Sequence, residues 1–199
     1  MAALVGFLRR QGYLPGTENG YQPDSISAVT FYRIGGMEER LILTRDTSPW
    51  TLEAQSADEN GNWISHGEAM PVRDFVVELQ TAANDGVMAG EVGGAEDKVW
   101  PVFGAALNDA LRQSHGWVAR LDNTSNDNGN QTILIGSEAT GVQRRLTFAI
   151  NGPDRGAATL EMLSHGEPSE WLPLDEGRLT SMLRTKDAAL AIARFLRLA

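Results

Sequence analysis

Cysteine is absent from the 199-residue chain, which excludes disulfides, thiolate nucleophiles, zinc-finger sites and iron–sulfur clusters. Lysine is nearly absent too: only Lys98 and Lys186 interrupt an otherwise all-arginine basic set. No apolar run approaches the roughly 18 residues that a membrane-spanning helix requires. The opening Met1–Leu8 stretch is too short for a signal core and is followed, not preceded, by Arg9 and Arg10. A soluble, cytoplasmic protein without membrane contact is the expectation. Positive charge is scarce in one half only. The net charge is −9, and Met1 to Asp97 carries all of it, while Lys98 to Ala199 balances its acids and bases. The acidic half repels nucleic acid and anionic membrane and attracts a basic protein surface.

Against these absences stands a repetition. Leu8-Arg9-Arg10-Gln11-Gly12-Tyr13 is echoed by Leu111-Arg112-Gln113-Ser114-His115-Gly116-Trp117, and Glu39-Arg40-Leu41 by Arg144-Arg145-Leu146. Thr51-Leu52-Glu53 and Trp63 recur as Thr159-Leu160-Glu161 and Trp171, both at an offset of 108. Two units are expected, residues 1–95 (acidic) and 98–199 (charge-neutral), joined by a glycine-rich linker around 85–97. Each is near the usual size of a domain with its own core.

Apolar spacing predicts a helix over 2–11, and Pro, Gly, Asn and Asp predict a loop over 15–25. Strands are predicted at 27–34, 38–45, 50–57 and 62–67, broken by Gly35-Gly36, by Asp46 to Pro49 and by the hairpin-favouring Asn60-Gly61. Pro71 then opens a helix carrying Val72, Phe75, Val76 and Leu79. The second unit repeats the order: a helix near 102–113, a polar loop over 122–130, and strands near 131–137, 142–150, 157–164 and 170–172. Two closing helical segments follow, capped by Asp175 and Asp187. The fold class expected is α+β: a tandem duplication of an α-β-β-β-β-α unit, each a four-stranded antiparallel meander with helices packed on one face.

Four constellations invite a chemical reading. Ser-His-Gly-Glu occurs at Ser65–Glu68 and Ser164–Glu167, and His66 with Glu68 on one strand face could supply metal ligands. But His66 follows Trp63 whereas His165 precedes Trp171, so the two are not equivalent positions; exposed hairpin residues explain both, and no metal site is assigned. Ser65 and His66 are adjacent strand residues that face opposite sides, so they cannot form a catalytic pair. Gly90 to Gly94 lacks the strand and lysine of a phosphate loop, while Glu38-Glu39 and Asp58-Glu59 are turn residues whose charges are solvated. No catalytic residue and no cofactor is expected, and the chain is read as a non-enzyme.

Tryptophans at matched places, Trp63 with Trp171 and Trp117 with Tyr13, fit a packing role. The unmatched Trp50 and Trp100, with Asp58 and Glu59, are the candidate protein contacts. Arg33, Arg40, Arg144 and Arg145, on or beside the second strand of each unit, are candidate nucleic-acid contacts, since arginine beside aromatics on a strand face binds single strands. Four antiparallel strands and a helix, duplicated, is similar to the order in the Whirly and PUR-type single-strand binders. The helix-first order resembles that of secretion chaperones and related small adaptors. The preferred function is a protein-binding module (adaptor, chaperone-like or inhibitor) whose acidic first unit meets a basic partner; single-stranded nucleic-acid binding is the alternative.

Overall fold

A computed structural model describes residues 2–17, 27–84, 99–122, 129–166 and 168–198. In the first half lie α1 (Ala2–Arg10), β1 (Tyr13–Thr17), β2 (Ala28–Arg33), β3 (Gly36–Thr44), β4 (Thr51–Ala57), β5 (Trp63–Ser65), the two-residue β6 (Met70–Pro71) and α2 (Val72–Asn84). The second half holds α3 (Val99–Gln113), β7 (Trp117–Asp122), β8 (Asn130–Ser137), β9 (Gln143–Ala149), β10 (Ala157–Leu163), β11 (Trp171–Arg178), α4 (Leu179–Met182) and α5 (Ala188–Phe195). The fold is α+β, with a largely antiparallel sheet of 11 strands among the described residues. No helix among them is long and apolar enough to cross a membrane. The expected linker at 85–97 lies outside the described residues.

Both halves carry one full-length strand more than expected. Tyr13–Thr17 forms β1, which runs into the loop predicted from residue 15, and Trp117–Asp122 forms β7 where no element was predicted. These two strands join the halves. The sheet runs β11-β10-β9-β8-β7-β1-β2-β3-β4-β5, with β1 and β7 parallel at Gly16 opposite Leu121 and Thr17 opposite Asp122. Pro15 has no N–H to give a ladder, and the pairing with β7 begins only beyond it. Beside the seam, Arg9 Nη2 donates to the Ala119 carbonyl at 3.4 Å and ties α1 to β7.

Alternation along each strand sorts the core into two clusters on opposite faces. Tyr13, Phe31, Leu41, Leu43 and Leu52 share one face and pack with Leu8 of α1 and Phe75 and Leu79 of α2. Ala119, Leu121, Ile133, Leu146 and Leu160 share a face with α3, α4 and α5, around Phe103, Leu107, Leu179 and Ile192. Because Gly16 sits beside Leu121, this second face continues into the side of the first half that bears Leu14 and Tyr32, and both join the larger cluster with Ile34. A buried amide pins the junction: Gln131, 1% exposed, accepts from Gly35 N at 2.8 Å and donates to the Arg33 carbonyl at 3.1 Å.

One predicted cap is corrected. Asp187 caps α5 as expected, its Oδ1 accepting from Leu190 N at 2.9 Å. Asp175 lies inside β11 instead, because that strand runs on to Arg178, and Arg178 stands at the N-terminus of α4 without a side-chain cap bond.

Candidate functional site

The turn between β4 and β5 is built by one carboxylate. Asp58 Oδ1 accepts from Asn60 N at 2.9 Å and Asn62 N at 2.8 Å, and Oδ2 accepts from Asn62 Nδ2 at 3.1 Å. These bonds, chiefly those from Asn62, hold the Asp58 carboxyl below its ordinary pKa. Asp58 thus shapes the turn and keeps its negative charge, while Glu59 is exposed.

From this turn β5 runs back along β4 as the last strand of the sheet. Trp63 lies opposite Ala57, half-buried, its ring under the Arg40 guanidinium at 4.1 Å and edge-on to Tyr32 at 6.1 Å. Period-two alternation turns Ile64 to the other face, where it is 53% exposed. The stretch from Asp58 to Glu68 carries three carboxylates, Asp58, Glu59 and Glu68, and no lysine or arginine. An apolar side chain is therefore held on an edge strand with acid at both ends. Ile64 did not stand out in the sequence; the available signal was its place between Trp63 and Ser65 in a short strand, which puts it on the face opposite Trp63, the face of Leu41 and Leu52, at the margin of the sheet.

The predicted contact residues do not converge. Trp50, 39% exposed, precedes β4 and follows the cis Ser48–Pro49 peptide, its carbonyl accepting from Val72 N at 2.9 Å. The seven residues of β4 separate it from Asp58 and Glu59, on the order of 20 Å at strand rise. Trp100 is corrected: it is 3% exposed, tilted against Phe148 at 5.1 Å and edge-on to Phe103 at 6.5 Å. Its indole fills the space above Gly35, which explains why an unmatched tryptophan is a core residue: it closes the junction between halves.

The four arginines are occupied and dispersed. Arg33 Nη1 bonds Glu39 Oε2 at 2.7 Å, and Arg40 Nε bonds Gln55 Oε1 at 2.8 Å. Arg145 Nε bonds Glu161 Oε2 at 2.8 Å with its guanidinium over Trp171 at 4.7 Å. Arg144 lies over Trp117 at 4.3 Å and donates to the carbonyls of Leu196 and Arg197, and burial lowers its pKa. Register puts Arg40 and Arg144 on one face and Arg33 and Arg145 on the other.

His66 and His165 are both exposed, His66 just after β5 and His165 in the turn between β10 and β11, so the two tetrapeptides hold different places in the fold. Among the described residues no group of three or more histidine, aspartate or glutamate side chains is placed to hold a metal. A groove of about 380 Å³ runs along β7, β8 and β9 past Val118, Leu134, Gly136 and Gln143, open to solvent and floored by the sheet. No family model matches the chain, no curated protein matches it, and no solved structure matches it.

Proposed function

We propose that the protein is a non-enzymatic protein-binding module, an adaptor, chaperone-like protein or inhibitor, whose acidic first half meets a basic partner surface. The observation that carries this reading is the β5 edge, where exposed Ile64 is flanked by Asp58, Glu59 and Glu68 with no basic residue between them. An apolar anchor inside a charged rim is the usual anatomy of a protein contact, and the sign of the rim selects a basic partner. Internal bonding of Arg33, Arg40, Arg144 and Arg145, and their split between two faces, weighs against the single-strand alternative.

We also propose that the scaffold is a tandem duplication of a unit with helices on one face. Arg40 opposite Gln55 corresponds to Arg145 opposite Glu161, and Trp63 opposite Ala57 to Trp171 opposite Leu163. In both halves the arginine stacks on the tryptophan. On this reading Gln55, rather than Glu53, answers to Glu161, a shift of two residues that leaves each side chain on its face. A parallel seam between first strands is what a twofold along the strands produces, and it sets the two helical layers on opposite faces.

The test is affinity capture of the tagged protein from its native lysate, with and without nuclease. A stoichiometric partner that survives nuclease, elutes with salt and is lost from Glu59→Lys/Glu68→Lys is expected. Nucleic acid in the eluate, released by salt and untouched by the charge reversals, would replace this reading with the alternative.

A further inference from the structure

We infer that the β5 edge takes its partner by strand addition, the added segment being extended, with an apolar residue beside Ile64 and a basic residue on either side. This deepens the acidic-surface reading and rests on it. The pairing of β5 with β4 fixes the geometry. Asp58 N donates to the Asn62 carbonyl at 2.8 Å and His66 N to the Ala54 carbonyl at 2.9 Å. In an antiparallel ladder the hydrogen-bonded positions alternate, so Ile64 also turns its amide and carbonyl toward β4. Trp63 and Ser65 then turn theirs outward, and no strand pairs with β5 on that side among the described residues. Two donors and two acceptors lie in register for an incoming backbone, the pattern that β-augmentation uses.

The two ends of the sheet differ in how they are guarded. At the other edge, β11 carries Pro173 and a bulge at Leu174, which lies between the ladder pairs Glu161–Pro173 and Leu160–Asp175. Arg197 Nη2 donates to the Leu174 carbonyl at 2.9 Å. Proline, a bulge and a charged side chain on the edge are the devices that block strand addition. In β5 none of these three is present: Trp63-Ile64-Ser65 is uncharged and proline-free and pairs with β4 without a register shift. Charge decides the occupant. Residues toward the two ends of an added strand lie beside the Asp58-Glu59 turn and Glu68, where lysine or arginine meets carboxylates, while Arg40 on the Trp63 face is engaged by that indole and by Gln55.

The experiment measures binding of a fluorescent peptide of alternating arginine and valine to the full chain by anisotropy. The same peptide with alternate backbone amides methylated keeps its charge and cannot complete a ladder. Strand addition predicts that methylation weakens binding about tenfold or more. Ser65→Pro, which removes an outward donor, is expected to do the same with the unfolding midpoint unchanged. Glu59→Gln/Glu68→Gln is expected to weaken binding and flatten its salt dependence. Binding that ignores methylation but still falls in the glutamine variant would overturn strand addition and leave the acidic-surface reading standing. Failure of the peptide to bind would overturn strand addition outright, and lysate capture would then decide the broader reading separately.

Discussion

Gly35 sits in the turn after β2 at φ 78°, and a Cβ built on it would lie 1.9 Å from Trp100 Cδ1. Two penalties follow from one methyl group: an L residue in the left-handed region and a clash with a fully packed indole. Gly35→Ala is expected to cost roughly 2 to 5 kcal/mol, read as a lower urea midpoint at unchanged slope. Gln131→Ala attacks the same junction by chemistry: it leaves Gly35 N and the Arg33 carbonyl buried without the amide that serves both. A loss of roughly 1 to 3 kcal/mol is expected by denaturant titration. Tyr13 gives a pH signature. Its pKa is raised by burial first and then by Glu39, to whose Oε2 its hydroxyl donates at 3.5 Å. The folded phenol keeps its proton when the unfolded one, with a pKa of about 10, has lost it. The stability involved is complete below that value and drains away as pH rises above it. Melting at increasing alkaline pH should show the decline, and Tyr13→Phe should flatten it. Of these residues the sequence marked Tyr13 as a packing position through its match to Trp117. Gln131 and Trp100 were beyond it, because a polar residue in a strand reads as exposed and an unmatched tryptophan as a contact until the other half of the molecule is laid against it.

Elements whose signal is local were legible. Asn60-Gly61 and Asp187 marked a turn and a helix start correctly, and Pro71 falls one residue before its helix, which begins at Val72 while Pro71 pairs in β6, because a hairpin, a first helical turn and a cap depend on neighbours a few residues away. Asp187→Ala should therefore cost about 1 kcal/mol, measurable as a lower thermal midpoint and faster amide exchange in α5. The missed elements are those whose partners are distant. Tyr13-Leu14-Pro15-Gly16-Thr17 contains two strong strand breakers, yet it is held extended by β2 along Tyr13 to Pro15 and by β7 beyond. β11 was foreseen as three residues and runs for eight, because Asp175 and Glu176 face solvent at a sheet edge where charge is no argument against a strand. Asp175 there pairs with Arg197 at 3.6 Å instead of capping a helix.

At the scale of the molecule, charge asymmetry was visible in the sequence, but the way the halves share a core was not. Two independent domains would each bury their own apolar residues; here Leu14, Tyr32 and Ile34 of the first half lie in the cluster formed by Trp100, Phe103 and Leu107 of α3. Burying a side chain such as leucine or isoleucine is worth about 1.5 to 3 kcal/mol, and a whole domain is stable by only about 5 to 15 kcal/mol. A chain ending at Asp97 loses the cover over all three residues, the Gln131 latch and the β7 side of β1 together. It retains the cluster around Phe31, Leu43 and Phe75, which supports secondary structure without a unique core. The expected outcome is a 1–97 fragment with strand and helix signal in far-ultraviolet dichroism but poor amide dispersion and no cooperative melt. Mixing it with a 98–199 fragment should restore dispersion and cooperativity at equimolar ratio, since the seam is a surface that each half presents to the other. A cooperative melt from 1–97 alone would instead make the acidic half an independent domain, with the shared cluster an interface between two finished folds.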